Sequence, residues 1–487
     1  MSELPTGWTR VNFDGAVDVI SDRGFRIKQK DYLPSGKLPV VDQGEGLIGG
    51  YTDECDAQVK SPPPVIVFGD HTRRFKFVKF PFAVGADGVK LLSPTPIWNT
   101  AFLFLQLGTI DLENRGYGRH YQHLRKKSLA LAPFAEQTRI VAKLDELLSD
   151  LDAGVAELKA AQKKLAQYRQ SLLKAAVEGA LTAEWRSKNK PAETGVQLLE
   201  RILTERRARW KEKQLAKFKE QGKIPPKDWQ KKYPEPVKPD TTDLPELPQG
   251  WVWASVEQLG YVQLGRQRSP SKIGKANPTP YIRAANITEN GADLSDVLEM
   301  DFSETEKETF ALKVGDVLLT EASGSPEHVG RPAIWKQVEG LYCFQNTVLR
   351  FSPEGIGSEY AFYSFLAMQK LGVFSKLSGG VGINHLSAGK FSKLPVPLPP
   401  VVEQLALIET LRESFSRIDD QLAFLAHSLK QSTAQRQNIL RAAFSGQLVP
   451  QDPNDESASV LLERIRAERT ARGAVKILRG RKFKESA

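Results

Sequence analysis

One stretch of the sequence occurs twice: Arg169-Gln-Ser-Leu-Leu-Lys-Ala-Ala-Val-Glu-Gly-Ala-Leu181 returns as Arg436-Gln-Asn-Ile-Leu-Arg-Ala-Ala-Phe-Ser-Gly-Gln-Leu448, 267 positions later. At the same offset, Pro133-Phe-Ala-Glu-Gln137 returns as Pro400-Val-Val-Glu-Gln404. Self-similarity at so long a period indicates an internal duplication. A duplication predicts further matches in the same order.

Two more pairs of motifs keep that order. Leu4-Pro-Thr-Gly-Trp8 returns as Leu247-Pro-Gln-Gly-Trp251 at an offset of 243, and residues 198–209 return as residues 461–472 at an offset of 263. The offset rises from 243 at the Leu-Pro-x-Gly-Trp motif to 267 at the Pro-x-x-Glu-Gln motif. The interval between these two motifs is therefore 24 residues longer in the second copy. These intervals, 9–130 and 252–397, resemble each other poorly. The pattern predicts a repeated scaffold that carries two divergent domains with different targets.

Each copy is expected to contain one long helix. Residues 134–178 hold no proline and one glycine, and apolar residues recur three and four positions apart from Val141 to Ala176 and from Ile408 to Ala443. Such a period is typical of a coiled coil. We expect two helices of about 45 residues, on the order of 65–70 Å long, that pair antiparallel with pseudo-twofold symmetry. Arg169 and Arg436 interrupt the seam at matching positions, and they either fix its register or contact a partner.

The divergent intervals are expected to be mixed domains. They combine short β-type runs, such as 65–68, 317–319 and 347–351, with a helical stretch, 360–368. The predicted fold class is α+β: two α+β domains joined by two long antiparallel coiled-coil helices, with an internal pseudo-twofold duplication. The predicted segments are a first domain (1–132), a long helix (133–182), a basic linker (183–246), a second domain (247–399), a second long helix (400–448) and a basic C-terminal segment equivalent to the linker (449–487).

Composition narrows the class of protein. The 487 residues are 40% hydrophobic and 26% charged, which is typical of a globular chain. The two cysteines, Cys55 and Cys343, cannot form a disulfide framework or a four-cysteine zinc site, so we expect a cytoplasmic protein. No apolar run approaches the roughly 20 residues that span a bilayer, so no membrane partner is expected.

The formal net charge of +10 favours a polyanionic partner, and its location is informative. Residues 201–239 carry 13 basic and five acidic residues, and residues 464–487 carry nine and two. The rest of the chain carries 46 basic and 51 acidic residues. The excess therefore lies in two segments at equivalent places in the duplication. Such segments either make sequence-blind phosphate contacts, clamp partner subunits, or are simply solvated.

The divergent domains hold clusters of side chains suited to reading DNA. Arginine pairs with guanine, asparagine and glutamine pair with adenine, and glycine-flanked loops can enter a groove. The candidates in the first domain are His71, Thr72, Arg73, Arg74, Tyr117, Arg119, His120 and Gln122. Those in the second are Arg266, Arg268, Arg283, Asn286, Ser323, Arg331, Gln345, Asn346, Asn384 and His385.

No sequence motif indicates catalysis. His120 and His123 are three positions apart, but no cysteine or carboxylate pattern completes a zinc site. We find no phosphate-binding loop of a nucleotide hydrolase, no amino-methyltransferase motif and no convincing nuclease centre. The sequence therefore predicts a recognition protein without catalytic, cofactor-binding or metal-binding residues of its own.

The ordered motifs resemble those of the type I restriction–modification specificity (S) subunit over essentially the whole chain. The resemblance rests on the Leu-Pro-x-Gly-Trp and Pro-x-x-Glu-Gln motifs, the long helices and their Arg-Gln-x-Leu/Ile-Leu-Lys/Arg-Ala-Ala endings. In the second domain, residues 315–320, 330–333, 345–346 and 393–400 look like that family's target recognition domain. In the first domain, residues 68–72 and 118–121 look like a different subclass, and Ala132 stands where proline is common.

The resemblance implies a non-catalytic subunit whose two target recognition domains each bind half of a split site on double-stranded DNA. It also implies two adenine-N6 methyltransferase (M) subunits and two motor–nuclease (R) subunits as partners. S-adenosylmethionine, ATP and Mg²⁺ would belong to those partners. The residues alone leave two alternatives open, namely a coiled-coil assembly scaffold without DNA specificity and a nuclease with an unrecognised centre.

Overall fold

A computed structural model of the chain describes residues 4–21, 25–85, 88–114, 116, 118–267, 278–377 and 384–482; in the last helix, side chains are described to residue 471 except residue 469. The chain divides into two compact units. Compact unit 1 contains Met1–Lys159 and Ala426–Ala487, and compact unit 2 contains Ala160–Leu425. Each unit holds one of the two predicted domains, which we call domain 1 and domain 2.

Domain 1 is built from short strands and three short helices. The strands are β1 (Thr9–Asn12), β2 (Val17–Ile20), β3 (Arg26–Ile27), β4 (Leu38–Val41), β5 (Gly50–Thr52), β6 (Val65–Gly69), β7 (Phe75–Val78), β8 (Ala83–Gly85), β9 (Val89–Pro94) and β10 (Ser128–Leu131). The helices are α1 (Phe13–Ala16), α2 (Thr100–Leu107) and α3 (Tyr121–Leu124). Two four-stranded sheets, ordered β2-β9-β6-β7 and β3-β8-β4-β5, form its centre.

Helix α4 (Phe134–Val177) begins directly after Pro133, a residue tolerated in the first turn because it needs no backbone N–H partner there. The chain leaves the helix through Gly179, whose φ of +75° lies in the left-handed region that favours glycine. Helices α5 (Ala183–Lys188) and α6 (Gly195–Glu220) follow. About half of the predicted linker, residues 183–246, is therefore helical.

Domain 2 has one four-stranded sheet, a three-stranded sheet and several two-stranded sheets. Its strands are β11 (Val252–Ser255), β12 (Gly260–Leu264), β13 (Pro278–Ile282), β14 (Ile287–Thr288), β15 (Gly291–Ala292), β16 (Leu298–Asp301), β17 (Val317–Thr320), β18 (Ala322–Ser323), β19 (Pro332–Ile334), β20 (Cys343–Phe344), β21 (Val348–Pro353), β22 (Asn384–His385) and β23 (Pro395–Leu398). Its helices are α7 (Val256–Leu259), α8 (Glu304–Phe310), α9 (Ser358–Lys370), α10 (Val373–Leu377) and α11 (Ala388–Ser392). The largest sheet is ordered β12-β21-β17-β19.

Helix α12 (Val401–Phe444) has the same 44 residues of length as α4, and α13 (Ala458–Lys482) follows it. In compact unit 1, Leu144 and Leu148 of α4 lie in one core with Ala443 of α12. In compact unit 2, Leu172 and Ala176 of α4 lie in one core with the α12 residues from Leu407 to Ile418. The order of the contacts is antiparallel in each unit, as the sequence predicted.

The two seam arginines make equivalent ion pairs. In compact unit 1, Arg436 Nη1 lies 2.5 Å from Asp152 Oδ1. In compact unit 2, Arg169 Nη1 lies 2.9 Å from Asp419 Oδ1. Asp152 and Asp419 are themselves 267 positions apart. Each unit therefore pairs the same two duplicated positions, which fixes the register of the helices inside it.

Candidate nucleic-acid interface

Domain 1 is closed by its own two ends. Strand β1 pairs antiparallel with β10, so that Thr9 faces Leu131. Just before β1, the buried Trp8 donates its indole N–H to Glu136 Oε2 at 3.0 Å. Gln137 donates to the carbonyl oxygens of Ile97 and Ala132, both at 2.9 Å. The first Leu-Pro-x-Gly-Trp motif and the first Pro-x-x-Glu-Gln motif thus meet.

Domain 2 is closed by the same bonds. Strand β11 pairs antiparallel with β23. Trp251 donates its indole N–H to Glu403 Oε2 at 2.9 Å, and Gln404 donates to the carbonyl oxygen of Pro399 at 2.9 Å. The two pairs of motifs therefore have one structural role, which is to hold the two ends of a domain together at the start of a long helix.

Each closure is completed by a segment from the other copy of the duplication. In compact unit 1, Gly446, just after α12, lies so close to Pro5 that a Cβ there would collide with it. In compact unit 2, Gly179, just after α4, lies against Pro248 in the same way. The helices that follow repeat the exchange, since Ala458 N donates to Gly7 O at 2.8 Å and Gly195 N donates to Gly250 O at 2.6 Å.

With its ends fixed, domain 1 brings its two predicted recognition clusters together. The turn between β6 and β7 contains the buried Asp70, whose carbonyl oxygen accepts from the His120 backbone N–H at 3.0 Å. The His120 Nδ1 lies 2.9 Å from the same oxygen, and the Tyr121 N–H donates to Asp70 Oδ1 at 2.7 Å. Asp70 is therefore the fixed centre of one surface, which we call the domain 1 tip (residues 69–74 and 118–122).

A further loop belongs to this surface, and the sequence analysis missed it. Residues 42–50 contain four glycines in nine residues. Gln43 accepts from the His71 N–H at 3.3 Å through Oε1 and from the Thr72 hydroxyl at 2.8 Å through its carbonyl oxygen. Glu45 forms an ion pair of 3.1 Å with Arg74. The glycine density was the signal that could have indicated a loop at this site.

Beneath the loop, Nζ of the buried Lys76 forms an ion pair of 3.5 Å with Oδ1 of the half-buried Asp42. Burial lowers the pKa of Lys76, while the neighbouring Asp42 acts in the opposite direction. Because this pair is enclosed, it fixes the loop and leaves the exposed side chains to make outside contacts.

The predicted residues of domain 1 differ in exposure. Thr72, Arg74, Arg119 and Gln122 are exposed, and His71 and Arg73 are half-buried. Arg73 has a φ of +60° and donates to Leu112 O at 2.7 Å. His120 is buried, so the predicted base contact is corrected: its imidazole holds the tip together instead. Tyr117 lies outside the described residues.

Domain 2 also assembles a polar surface at the end of its main sheet. β18 pairs with β22, which places Ser323 opposite Asn384. The exposed His385 lies 3.1 Å from Glu321 through Nδ1. Arg331 joins this surface because its backbone N–H donates to Thr320 Oγ1 at 3.0 Å. We call this group, residues 320–325, 331 and 384–385, the domain 2 tip.

The half-buried Arg331 donates to the Ile287 carbonyl oxygen at 3.4 Å, and its Nε finds no acceptor among the described residues. The Ser323 hydroxyl accepts from the Ser325 N–H at 3.2 Å. Asn384 is 7% exposed, so only part of this group faces outward. His385 and Arg331 are its side chains best placed to bind.

Two predicted recognition residues of domain 2 have structural roles instead. Arg266 is buried, donates to Glu306 Oε1 at 2.7 Å and covers the Phe302 ring at 4.9 Å. Asn286 is buried and donates to the carbonyl oxygens of Asp293 and Asp296. Their polar atoms are occupied inside the domain, which corrects the expectation that they face DNA.

The remaining candidates of domain 2 lie near these two. Arg283 is half-buried and pairs with Asp296. Gln345 and Asn346 are half-buried beside Arg266, which accepts from the Asn346 N–H at 3.0 Å through its carbonyl oxygen. Arg268 lies outside the described residues. Next to this second group, the Thr347 carbonyl oxygen accepts from the Glu321 N–H of the domain 2 tip at 2.8 Å.

Within the described residues, no group of three or more histidine, cysteine, aspartate and glutamate side chains is arranged to hold a metal ion. Among the helices of this described part, none is long and apolar enough to cross a membrane. Of the two cysteines, Cys55 is exposed, and burial raises the pKa of Cys343 to about 11.

Comparison with known proteins agrees with this arrangement. Residues 248–422 match the family described as the type I restriction modification DNA specificity domain. The type I restriction enzyme EcoKI specificity subunit of Escherichia coli K12 is 24% identical over 364 residues, which cover 72% of this chain and 66% of that protein. The EcoDI specificity subunit of Escherichia coli is 24% identical over 401 residues, covering 78% and 79% respectively.

A solved chain from a study of complex assembly in a type I restriction–modification system shares the fold, with a TM-score of 0.61. It is 15% identical and covers 92% of this chain and 100% of its own length. Residues 248–422 belong to the family of type I restriction modification DNA specificity domains. Over most of its length, the chain is similar to specificity subunits of type I restriction enzymes.

Proposed function

We propose that this chain is the non-catalytic DNA-specificity subunit of a type I restriction–modification complex. Domain 1 and domain 2 each read one half of a bipartite site on double-stranded DNA. The observation that carries the proposal is the repeated closure: Trp8–Glu136 and Trp251–Glu403 frame two domains whose interiors differ. Two different readers in one chain multiply specificity, because binding of the first raises the effective concentration of the second.

Base reading is assigned to the outward-facing polar groups of the two tips. In domain 1, Arg74 and Arg119 can donate to guanine O6 and N7, and Gln122 and Thr72 supply further hydrogen bonds. In domain 2, Arg331 and His385 are the corresponding donors. The rigid mounting of each tip by backbone bonds favours selectivity, since a fixed donor cannot adapt to the wrong base.

The chemistry is assigned to partners. Two methyltransferase subunits would modify adenine N6 with S-adenosylmethionine, and two motor–nuclease subunits would use ATP and Mg²⁺. Methylation requires the target base to leave the helix, so the bound DNA is expected to be distorted.

A domain exchange tests this proposal. Residues 9–130 are replaced by the corresponding segment of a relative, and methylated sites are sequenced in a host that supplies the methyltransferase. One half of the methylated sequence should change and the other half should stay the same. The matched control exchanges residues 252–397 and should change only the other half.

Contiguous methylated sites, or a change in both halves after one exchange, would contradict the two-reader proposal. DNA cleavage by the purified chain with Mg²⁺ would support the nuclease alternative. Binding that shows no dependence on salt or sequence would support the scaffold alternative.

A further inference from the structure

The segment after α4 folds into a basic projection that the proposed function leaves unused. Helix α6 begins at a capping box, in which the Thr194 hydroxyl accepts from the Gln197 N–H at 3.3 Å. Its first two turns pack on domain 2 through the buried Leu198 and Ile202. Beyond Arg209 the helix continues to Glu220. The chain then reverses direction and returns to domain 2. We call residues 210–236 the arm.

The arm has an aromatic core of its own. Trp210 stacks on Trp229 with ring centroids 5.7 Å apart and meets Tyr233 edge-on at 5.3 Å. Phe218 contacts Trp229 at 6.0 Å. Trp229 and Tyr233 are 9% and 8% exposed. A merely solvated lysine-rich tail would have no reason to bury two such rings, so the arm is a folded element.

The arm is also fixed to domain 2 at its base. Arg206 is buried and donates to the Gly260 carbonyl oxygen at 3.3 Å, and Arg209 pairs with Glu354 at 2.8 Å. Just after the arm, the Val237 carbonyl oxygen accepts from the Ser255 hydroxyl at 2.6 Å. Both legs of the arm are therefore anchored, and its position relative to domain 2 is defined.

The side chains that the arm presents are mainly unpaired lysines. Lys213, Lys217, Lys219, Lys223, Lys227 and Lys232 are exposed, and none forms an ion pair with another described residue. By contrast, arginines nearer the base, including Arg201 and Arg207, have glutamate partners. The positive charge is neutralised at the base of the arm and left available on the arm itself.

The arm lies away from the proposed base-reading surface. It is anchored where β12 begins and β21 ends, because Gly260 pairs with Pro353. The domain 2 tip lies at the other end of the same sheet, where Thr320 pairs with Val348. Contacts made by the arm therefore add affinity without reading the half-site that domain 2 recognises.

We propose that the arm binds the phosphate backbone of duplex DNA outside the base-read site. Lysine suits this role as a flexible point charge, whereas bidentate base recognition favours arginine. The inference rests on the proposed function, which brings DNA to this chain. It adds a second, sequence-blind contact that is separate from the two tips.

The test uses the full chain and a short duplex of arbitrary sequence as the probe. Binding is measured by fluorescence anisotropy from about 50 to 200 mM salt, and the slope of log K against log salt is compared between variants. Each lost phosphate contact should lower the magnitude of the slope by about 0.9. The triple variant Lys223→Gln, Lys227→Gln, Lys232→Gln should therefore lower the magnitude of the slope by about 2 to 3.

The matched control removes the same charge from exposed lysines of α4, through Lys159→Gln, Lys163→Gln and Lys164→Gln. It should leave the slope unchanged. Equal slopes for the arm variant and the control overturn the proposal, and so does absence of salt-dependent binding by the unmodified chain. An arm variant that keeps its slope but no longer assembles with the methyltransferase assigns the arm to a protein partner instead.

Failure of the arm and failure of the proposed function give different results. The arm variant should keep the methylated sequence unchanged in the host assay, even where binding is weaker. A variant that changes the methylated sequence would show that the arm reads bases, which also contradicts this inference.

Discussion

Compact unit 1 and compact unit 2 close their domains with the same bonds and fold the interiors in different ways. In both, a buried tryptophan donates to the glutamate that opens a long helix. Inside the closure, domain 1 has two four-stranded sheets, whereas domain 2 has one four-stranded sheet, a three-stranded sheet and smaller pairs. The difference teaches that the closure tolerates very different inserts. The contacts between the two ends of each domain are the same in both units, whereas the strands between those ends are arranged differently.

The closing tryptophans give the strongest test of this equivalence. Trp8→Ala and Trp251→Ala each remove a large buried side chain, which costs about 3–5 kcal/mol of unfolding free energy. Hydrogen exchange read by mass spectrometry should show faster exchange in the unit that carries the substitution. Equal losses in both units from either single variant would mean that the closures do not act separately.

Substitutions of the two closing glutamates should have unequal effects on stability. Glu403 accepts from Thr182 at 2.8 Å and from Arg186 at 2.9 Å, in addition to Trp251. Glu136 accepts from Trp8, while its Oε1 is buried without a partner among the described residues. Glu403→Gln should therefore cost about 1.5–3 kcal/mol, since it removes a charge-assisted bond. Glu136→Gln should cost much less. Chemical unfolding of the two variants, followed in each unit by hydrogen exchange, checks this order.

The same pair of variants should differ in pH dependence. Burial raises the pKa of Glu136 despite the bond from Trp8. A carboxyl group whose pKa is raised by folding contributes stability that is fully present below its unfolded pKa of about 4.3. This stability is lost as the pH rises through the folded pKa. Glu136→Gln should remove this loss and flatten the pH profile of compact unit 1. An unchanged profile would show that the carboxyl titrates normally.

The two tips should act on separate halves of the recognised site. Arg74→Ala or Arg119→Ala should relax one position of one half, at about 1–3 kcal/mol per base pair. His385→Ala, the matched change in domain 2, should affect only the other half. Sequencing of methylated sites measures both. A uniform loss of methylation with no change in sequence preference would assign these side chains to phosphate contacts.

The seam arginines should give the smallest difference. Both ion pairs are partly exposed, so each is expected to contribute about 0.2–1 kcal/mol. Arg169 also covers the ring of Phe415 at 4.4 Å, where the equivalent position in the other unit is Leu148. A cation–π contact adds about 0.5–1 kcal/mol at an exposed site. Double-mutant cycles for Arg169–Asp419 and Arg436–Asp152 measure the free energy of each ion pair. Because of the additional ring contact, Arg169→Ala should lower the free energy of unfolding more than Arg436→Ala does.

The sequence predicted the parts of the fold that repeat. Long helices follow from apolar spacing, and duplication indicates which motifs share a role, so the sequence predicted both α4 and α12. Trp8 and Glu136, by contrast, are 128 positions apart in the chain, and no local sequence pattern indicates that they pair. Such a contact becomes visible only when the strands on either side of it pair.

The recognition residues were predicted less well for a physical reason. Residue type alone cannot distinguish an arginine that faces solvent from one whose partner is another side chain. Arg119 and Arg266 both lie in polar loops of the sequence, yet Arg119 is exposed and Arg266 is buried against Glu306. The glycine-rich loop 42–50 was missed because it contains few of the side chains typical of base recognition.

The exchange of segments between the two copies has a consequence for synthesis. Compact unit 2 is one uninterrupted run of chain, Ala160–Leu425, whereas compact unit 1 needs residues that follow Leu425. At about 5–20 residues per second, a ribosome takes on the order of 15 to 50 seconds to make that run. Throughout this time Pro5 lacks Gly446, and Leu144 and Leu148 lack their partners on α12. The domain that is made first is therefore the last to be completed, and its uncovered apolar residues are where a nascent chain would need protection.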